Sequence, residues 1–383
     1  MKKFRNKIIV FGRPAIVLST VRCLQGTGIK ADVVVVGGLN ELVKWSRFVD
    51  RYYDVSTEEE GLYLIEYNYS QEREKSVLIS CNDSIAELID SRREQLRKHF
   101  IISDCESSGE FLSHWMRKDV MCRLAEEVGF SVPRTWTLDL SQKSFTWDSF
   151  VFPCITKALK SSKGQKNATW ICKNRKDLQV AVQNAKQYTD FLLVQEFIPF
   201  DQGYCTLGVR LNNSKETIIG RTGKRLRSNL RVYGYPTFSH LEQALPPRVD
   251  EGMIKSYVER TGYTGVFSFE TVVTSNKTYF IEINFRTDGK IFGMPAAGCN
   301  IVVDWLYDAI GKNILSKKIS KDIYVMFGTE DFQHVKSNEI TLWSWLKDVL
   351  RTSSFHTLSL KDPLPFMVRC LRKVITINKS CVK

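Results

Sequence analysis

The stretch GVFSFETVVTSNKTYFIEINFRTDG, Gly265 to Gly289, decides how this chain is read. Val266 to Val273 and Thr278 to Asn284 are apolar, β-branched and aromatic runs. The polar residues Thr274, Ser275, Asn276 and Lys277 between them supply a turn, so the segment predicts a β-hairpin. With Ser275 and Asn276 at the centre of that turn, Glu270 falls roughly opposite Glu282, at the ~5 Å spacing of cross-strand pairs. Strand side chains alternate with period two, so Glu282, Asn284 and Arg286 project from one face while Ile281, Ile283 and Phe285 take the other. Two carboxylates and an amide oxygen suit a hard cation such as Mg²⁺, and an arginine beside them offers its guanidinium fork to a phosphate or carboxylate. A surface hairpin with a solvated Glu/Arg pair shows the same local pattern, so what matters is what else converges on the polar face.

The hairpin resembles the last catalytic strands of the ATP-grasp superfamily, where an acidic residue is followed downstream by Glu-x-Asn and often x-Arg. The resemblance implies that Glu270, Glu282 and Asn284 hold the Mg²⁺ ions bridging the ATP phosphates, two ions being expected and Mn²⁺ an acceptable substitute. It also implies that Arg286 faces the transferring phosphoryl group or acyl phosphate. Other parts of the family's pattern follow upstream in the expected order. Phe152-Pro153-Cys154-Ile155-Thr156-Lys157 is similar to the strand ending in a phosphate-binding lysine, and Ser161-Ser162-Lys163-Gly164-Gln165-Lys166 to the loop that closes over the phosphates, though it is poorer in glycine than usual. Ser161 and Gly164 are its expected contacts. Phe191 to Pro199 resembles the adenine hinge: Glu196 would accept from the adenine amino group, the backbone of Phe197 and Ile198 would meet the ring edge, and Asp201 would meet the ribose. Phe200 stands where a glycine is usual. Lys118 opens a helix that ends at Gly129-Phe130-Ser131-Val132-Pro133 and is expected on the phosphates, with Arg117 in place of the usual Asp. The basic run Ile218 to Arg227 supplies Lys224, and after it Arg227, next to the acyl phosphate. Taken singly, each segment also reads as a solvated turn, a basic helix start or a basic strand edge.

Residues 1–110 alternate apolar strands (Ile8 to Phe11, Asp32 to Val36, Val77 to Ser80) with helices near Ala15 to Thr27 and Ser84 to Arg97, which argues for a doubly wound α/β sheet. No Gly-x-Gly-x-x-Gly or Gly-x-x-x-x-Gly-Lys-Ser/Thr sequence is present, so neither a dinucleotide fingerprint nor a P-loop competes. The expected architecture is α/β: an N-terminal pre-ATP-grasp domain (1–110), a two-lobed ATP-grasp domain (111–310, small lobe about 135–195, large lobe about 196–310) and a helical C-terminal extension (311–383). The first domain is expected to contribute to the acid-substrate pocket, with Arg22, Asn82 and Asp83 the places to look; they also read as helix-surface and cap residues. In the extension, Trp343, Trp345, Leu346, Val349 and Leu350 mark an amphipathic helix, and Asp362-Pro363-Leu364-Pro365 precedes another near Phe366 to Val374. This tail either packs across the lobes or brings Arg369, Arg372 and Lys373 to an acidic membrane surface.

The 383 residues, 43% apolar, can bury more than one core. Ten scattered cysteines form no CxxC pair, so neither a zinc site nor a disulfide framework is indicated, and a reducing cytoplasmic setting suits them. Met1 to Phe11 imitates a signal peptide until Arg13 and Pro14 interrupt it. The formal charge of +13 is absorbed by the expected phosphate channel and the tail, and no nucleic-acid-reading motif accompanies it. The function expected is an ATP-dependent carboxylate-amine ligase: a small carboxylate is phosphorylated and an amine attacks the acyl phosphate, releasing ADP and phosphate. Two alternatives stay open, a biotin-carboxylase-like ATP-dependent carboxylation and a non-catalytic MgATP-binding regulator. A homodimer fits any of these.

Overall fold

Runs such as Ala31–Val36 (ADVVVV) and Ile8–Gly12 (IIVFG) are apolar on both faces, which suits strands covered by helices on either side. In the computed structural model, which describes residues 4–38, 41–105, 108–142, 145–160, 168–230, 234–314 and 321–381, they lie at the centre of a five-stranded parallel sheet. The strand order is Val49–Val55, Ala31–Val36, Ile8–Gly12, Ser76–Ser80, Phe100–Ile101. Gly12 ends the central strand where a Cβ would meet that of Cys81 at 2.4 Å, so the sheet closes only on a bare backbone there. The edge strand Val49–Val55 and the helix Glu58–Tyr69, capped by Thr57, add to the elements expected from the sequence.

A four-stranded antiparallel sheet follows, in the order Thr135–Asp139, Phe191–Glu196, Cys154–Ala158, Trp170–Cys172. Helix Arg175–Ala185 buries Leu178, Ala181 and Val182 in the same apolar cluster as Leu192 and Val194 from its central strand. The largest sheet has seven strands: Thr278–Asn284, Gly265–Val273, Gln202–Arg210, Thr217–Ser228, Pro236–Glu242, Ile323–Met326 and Thr352–Phe355. Its last two strands come from the C-terminal extension, whose remaining elements are helices, among them Leu342–Arg351 and Leu364–Cys381.

The extension is anchored back onto the first domain by Arg22. This residue is 4% exposed, its Nε donates to Asp362 Oδ2 at 3.2 Å, and its guanidinium also donates to the carbonyls of His356 and Thr357. Asp362 accepts in addition from Ser46 Oγ and the Arg47 N–H, both at 2.9 Å. Arg22 is therefore a structural anchor, which corrects its reading as an acceptor-pocket residue. Its helix turns it away from the strand ends and toward the tail.

Removing one partner of a buried ion pair strands the other charge, at a cost of about 3–5 kcal/mol. Asp362→Ala is accordingly expected to lower the melting temperature and to expose the C-terminal extension to limited proteolysis; wild-type behaviour in both assays would contradict the anchoring role. His356, buried beside Arg22 with its Nε2 donating to Ala15 O at 3.0 Å, is pushed down to about 4 by desolvation. A depressed histidine contributes stability that is complete above its unfolded value and lost as pH falls from about 6.5 toward 4. Thermal scans across that window should show the loss, and His356→Gln should flatten it.

Candidate active site

The hairpin turns at Thr274 to Lys277 and pairs Val273 with Thr278, a register that would set Glu270 against Ile281. A β-bulge between Glu270 and Thr271 shifts the ladder by one residue and brings Glu270 directly opposite Glu282, with Ser268 opposite Asn284. The two carboxylates thus share one face.

Cations approach this pair from several elements. Lys118, in the first turn of helix Lys118–Glu127, places its Nζ 2.9 Å from Glu282 Oε2. It is turned inward while Arg117 pairs with Asp119 at 2.7 Å. Lys157, from the four-stranded sheet, donates to Gln195 Oε1 at 3.0 Å and feels the charges of Lys118, Glu282 and Glu270. Lys118 holds the Glu282 carboxyl down at about 2, whereas burial and then the charge of Glu282 push Glu270 up to about 7. Burial, followed by the charge of Lys118, lowers Lys157. One carboxylate is paired and its neighbour is short of positive charge.

Arg286 follows the hairpin strand. Its Nε donates to Asp83 Oδ1 at 3.1 Å and its Nη2 to Asn284 Oδ1 at 3.1 Å, and the negative charge around it raises its pKa. Asp83 begins helix Asp83–Ser91 of the first domain, so the acid singled out there does reach the cluster. Its neighbour Asn82 donates to Glu58 and Ser84.

Two residues that sequence reasoning passed over join them, with Arg225 from the basic run Ile218 to Arg227. Asp288 and Lys290 form a pair at 2.9 Å just beyond Arg286, and one potential ligand atom each from Cys205, Glu270 and Asp288 lie within 4.8 Å of one another. Cys205 pairs with both Glu270 and Gly223, so alternation sends Arg225 to the face of Glu270 and Lys224 to the opposite one. Arg225 duly lowers the Glu270 pKa, and its guanidinium lies 3.0 Å from where a Cβ on Gly203 would be. The structure therefore does not bring Lys224 to the carboxylates. Arg227 is held by Asp331 and Asp348 and is likewise committed elsewhere.

At the other end of the site, Glu196 closes the strand Phe191–Glu196, with its Oε2 accepting from the Arg134 N–H at 3.3 Å. The Phe197 N–H donates to Pro153 O at 3.0 Å, which leaves that residue's carbonyl as its polar offering. Ile198 follows in the same extended connection, and exposed Asp201 docks its N–H on Val273 O at 2.9 Å. Ser161 and Gly164 lie outside the described residues.

A family model described as the ATP-grasp domain matches residues 123–290. Over that span the chain carries an ATP-grasp domain. Among curated proteins, it is 26% identical over 139 residues to the formate-dependent phosphoribosylglycinamide formyltransferase of Bacillus velezensis, covering 35% of each chain. It is 31% identical over 100 residues to the enzyme of the same name from Methanocella arvoryzae, covering 24% of this chain and 23% of that one. The matches span about a third or less of those relatives' length. Among solved structures, the ADP complex of an N5-carboxyaminoimidazole ribonucleotide synthetase superposes with a TM-score of 0.65 at 13% identity, over 88% of this chain and 87% of that one. An L-amino acid ligase from Bacillus licheniformis gives 0.59 at 13% identity, over 81% and 75%. These structural likenesses establish the ATP-grasp fold.

The two opposed acids repel each other, and neutralising one should relieve the fold. Glu270→Gln is expected to raise the melting temperature at pH 8 without divalent cations, by calorimetric scanning, by a few degrees for about 1 kcal/mol. A decrease would mean that the pair is not strained.

Proposed function

We propose that this ATP-grasp chain is an ATP-dependent carboxylate-amine ligase. The observation that carries the reading is the opposition of Glu270 and Glu282 inside a ring of Lys118, Lys157 and Arg286. Glu270, Glu282 and Asn284 offer only oxygen to a cation, and Glu270 stands in a deficit of positive charge; both facts fit Mg²⁺. Two ions bound there would neutralise the polyphosphate charge of ATP.

Lys118 and Lys157 would bind the phosphates as point charges, while Glu196, the Phe197 carbonyl, Ile198 and Asp201 would receive the nucleoside. Arg286 would hold the carboxylate as it attacks the γ-phosphorus, with ADP leaving and an acyl phosphate forming. The amine then attacks the acyl carbon, gives up a proton and expels phosphate. Asp83 would hold the guanidinium of Arg286 in place for both steps. Fixed charge and positioning supply the rate, and no side-chain nucleophile is required. Arg225, from the large sheet, and Lys290, from the chain just past the hairpin, replace Lys224 in this scheme.

The test is ADP and phosphate release with MgATP against pools of amino acids, small peptides, carboxylic acids and bicarbonate. Release dependent on one carboxylate and one amine, and reduced at least about 10²-fold in Glu282→Gln, is the expected result. Bicarbonate-dependent turnover without an amine would favour carboxylation, and MgATP binding with no turnover from any pool would favour a regulator. Arg286→Lys should lower kcat more than it weakens nucleotide binding, because it keeps the charge and loses the fork. Equal loss in both would remove Arg286 from the acyl-phosphate role.

A further inference from the structure

Helix Leu342–Arg351 turns Asp348 and Trp345 inward and Trp343 and Leu350 outward. Asp348 is buried and binds Arg227 and Arg351, and Trp345 turns in to donate its Nε1–H to Asp331 at 3.1 Å. On the opposite side Trp343 is 76% exposed and Leu350, seven residues on, 86% exposed, with exposed Leu342 beside them and Lys347 and Arg351 along the edge. Helix Leu364–Cys381 repeats the arrangement: exposed Leu364, Met367 and Leu371 fall at i, i+3 and i+7 of one stripe, and Leu360 just before it is 95% exposed.

The two helices stand on one support. Arg369 of the second binds Glu330 at 3.2 Å, and Trp345 of the first binds the adjacent Asp331. Single exposed apolar residues are ordinary, but a stripe of them on each of two helices anchored to adjacent acids is surface that calls for a cover.

The charge indicates which cover. Residues 336–383 carry nine Lys or Arg against three Asp or Glu, nearly half of the chain's formal net charge of +13. Two of the three acids are neutralised internally, Asp348 by two arginines and Asp362 by Arg22, and the third, Glu339, lies 2.7 Å from His334 Nδ1. What remains outward is Trp, Leu and Met between cations, the composition of a helix lying in a bilayer interface. Among the described residues no helix is long and apolar enough to cross a membrane.

We infer that the C-terminal helices Leu342–Arg351 and Leu364–Cys381 dock the enzyme on an anionic lipid surface. Trp343 and Leu350 insert at the headgroup boundary, and exposed Lys347 and Lys361 face the lipid phosphates and carboxylates. The inference does not depend on the ligase reading.

The test is sedimentation of the full chain with phosphatidylcholine vesicles, with and without about 30% phosphatidylserine, supported by quenching of Trp fluorescence by brominated lipid. Wild-type protein should bind the anionic vesicles and release them at about 0.5 M NaCl. Trp343→Ser/Leu350→Ser should weaken binding at least about tenfold while melting temperature and MgATP affinity stay unchanged. Lys347→Glu/Lys361→Glu should do the same. Failure of wild type to bind anionic vesicles would overturn the inference, as would undiminished binding by both variants. A concentration-dependent dimer that Trp343→Ser/Leu350→Ser dissociates, without vesicle binding, would overturn it in favour of a second copy as the occupant.

Discussion

Glu270 and Glu282 oppose each other across two hydrogen-bonded strands, and two like charges at about 4 Å cost on the order of 4 kcal/mol at the effective dielectric of a protein site. That is a sizeable part of the stability of an ordinary domain. The surrounding architecture compensates for it. Lys118 arrives from a helix packed on the hairpin, Lys157 from the four-stranded sheet, Arg286 and Lys290 from the chain just past the hairpin, and Arg225 from a strand two places away in the same sheet. Several layers thus meet at one charge cluster, and its balance is finished only for Glu282. The residual deficit at Glu270 is what a hard cation and its phosphates can remove, so the site stores a preference for a charged ligand in its own electrostatics.

The first domain is tied to the rest in two different ways. Asp83 meets Arg286 at the edge of the cluster, in a partly exposed pair at 3.1 Å. Arg22 and Asp362 are closed off together, with every Asp362 oxygen engaged, and act as a permanent fastening for the tail. The difference follows from position. Asp83 stands at the carboxyl end of a parallel strand, where open α/β sheets gather their ligands, and Arg22 ends a helix at the far side of its layer.

The hairpin carboxylates were legible because period-two alternation and a short polar turn are local signals. The strand Phe191–Glu196, the strand that carries Lys157 and the helix that Lys118 opens were legible for the same reason, each being a short local pattern. What the sequence hid depends on register or on contacts between distant residues. The bulge at Glu270 has no sequence mark, yet it decides which residue faces Glu282. Choosing Lys224 over Arg225 was a one-residue error of face, resolved only by pairing with Cys205. Arg22 finds Asp362 across 340 positions, a contact no periodicity announces. Asp288 and Lys290 fall outside any strand pattern because they follow the strand rather than belong to it. The edge strand Val49–Val55 mixes exposed and buried positions, and the extension's strands are four residues each, too short to show a pattern.

The most direct measurement is anomalous diffraction from crystals grown with Mn²⁺ and a non-hydrolysable ATP analogue. The account predicts manganese between Glu270 and Glu282, at about 2.1 to 2.3 Å from a carboxylate oxygen of each, with the analogue's phosphates between Lys118 and Lys157. A nucleotide bound elsewhere, or bound there with no metal on either carboxylate, would contradict it.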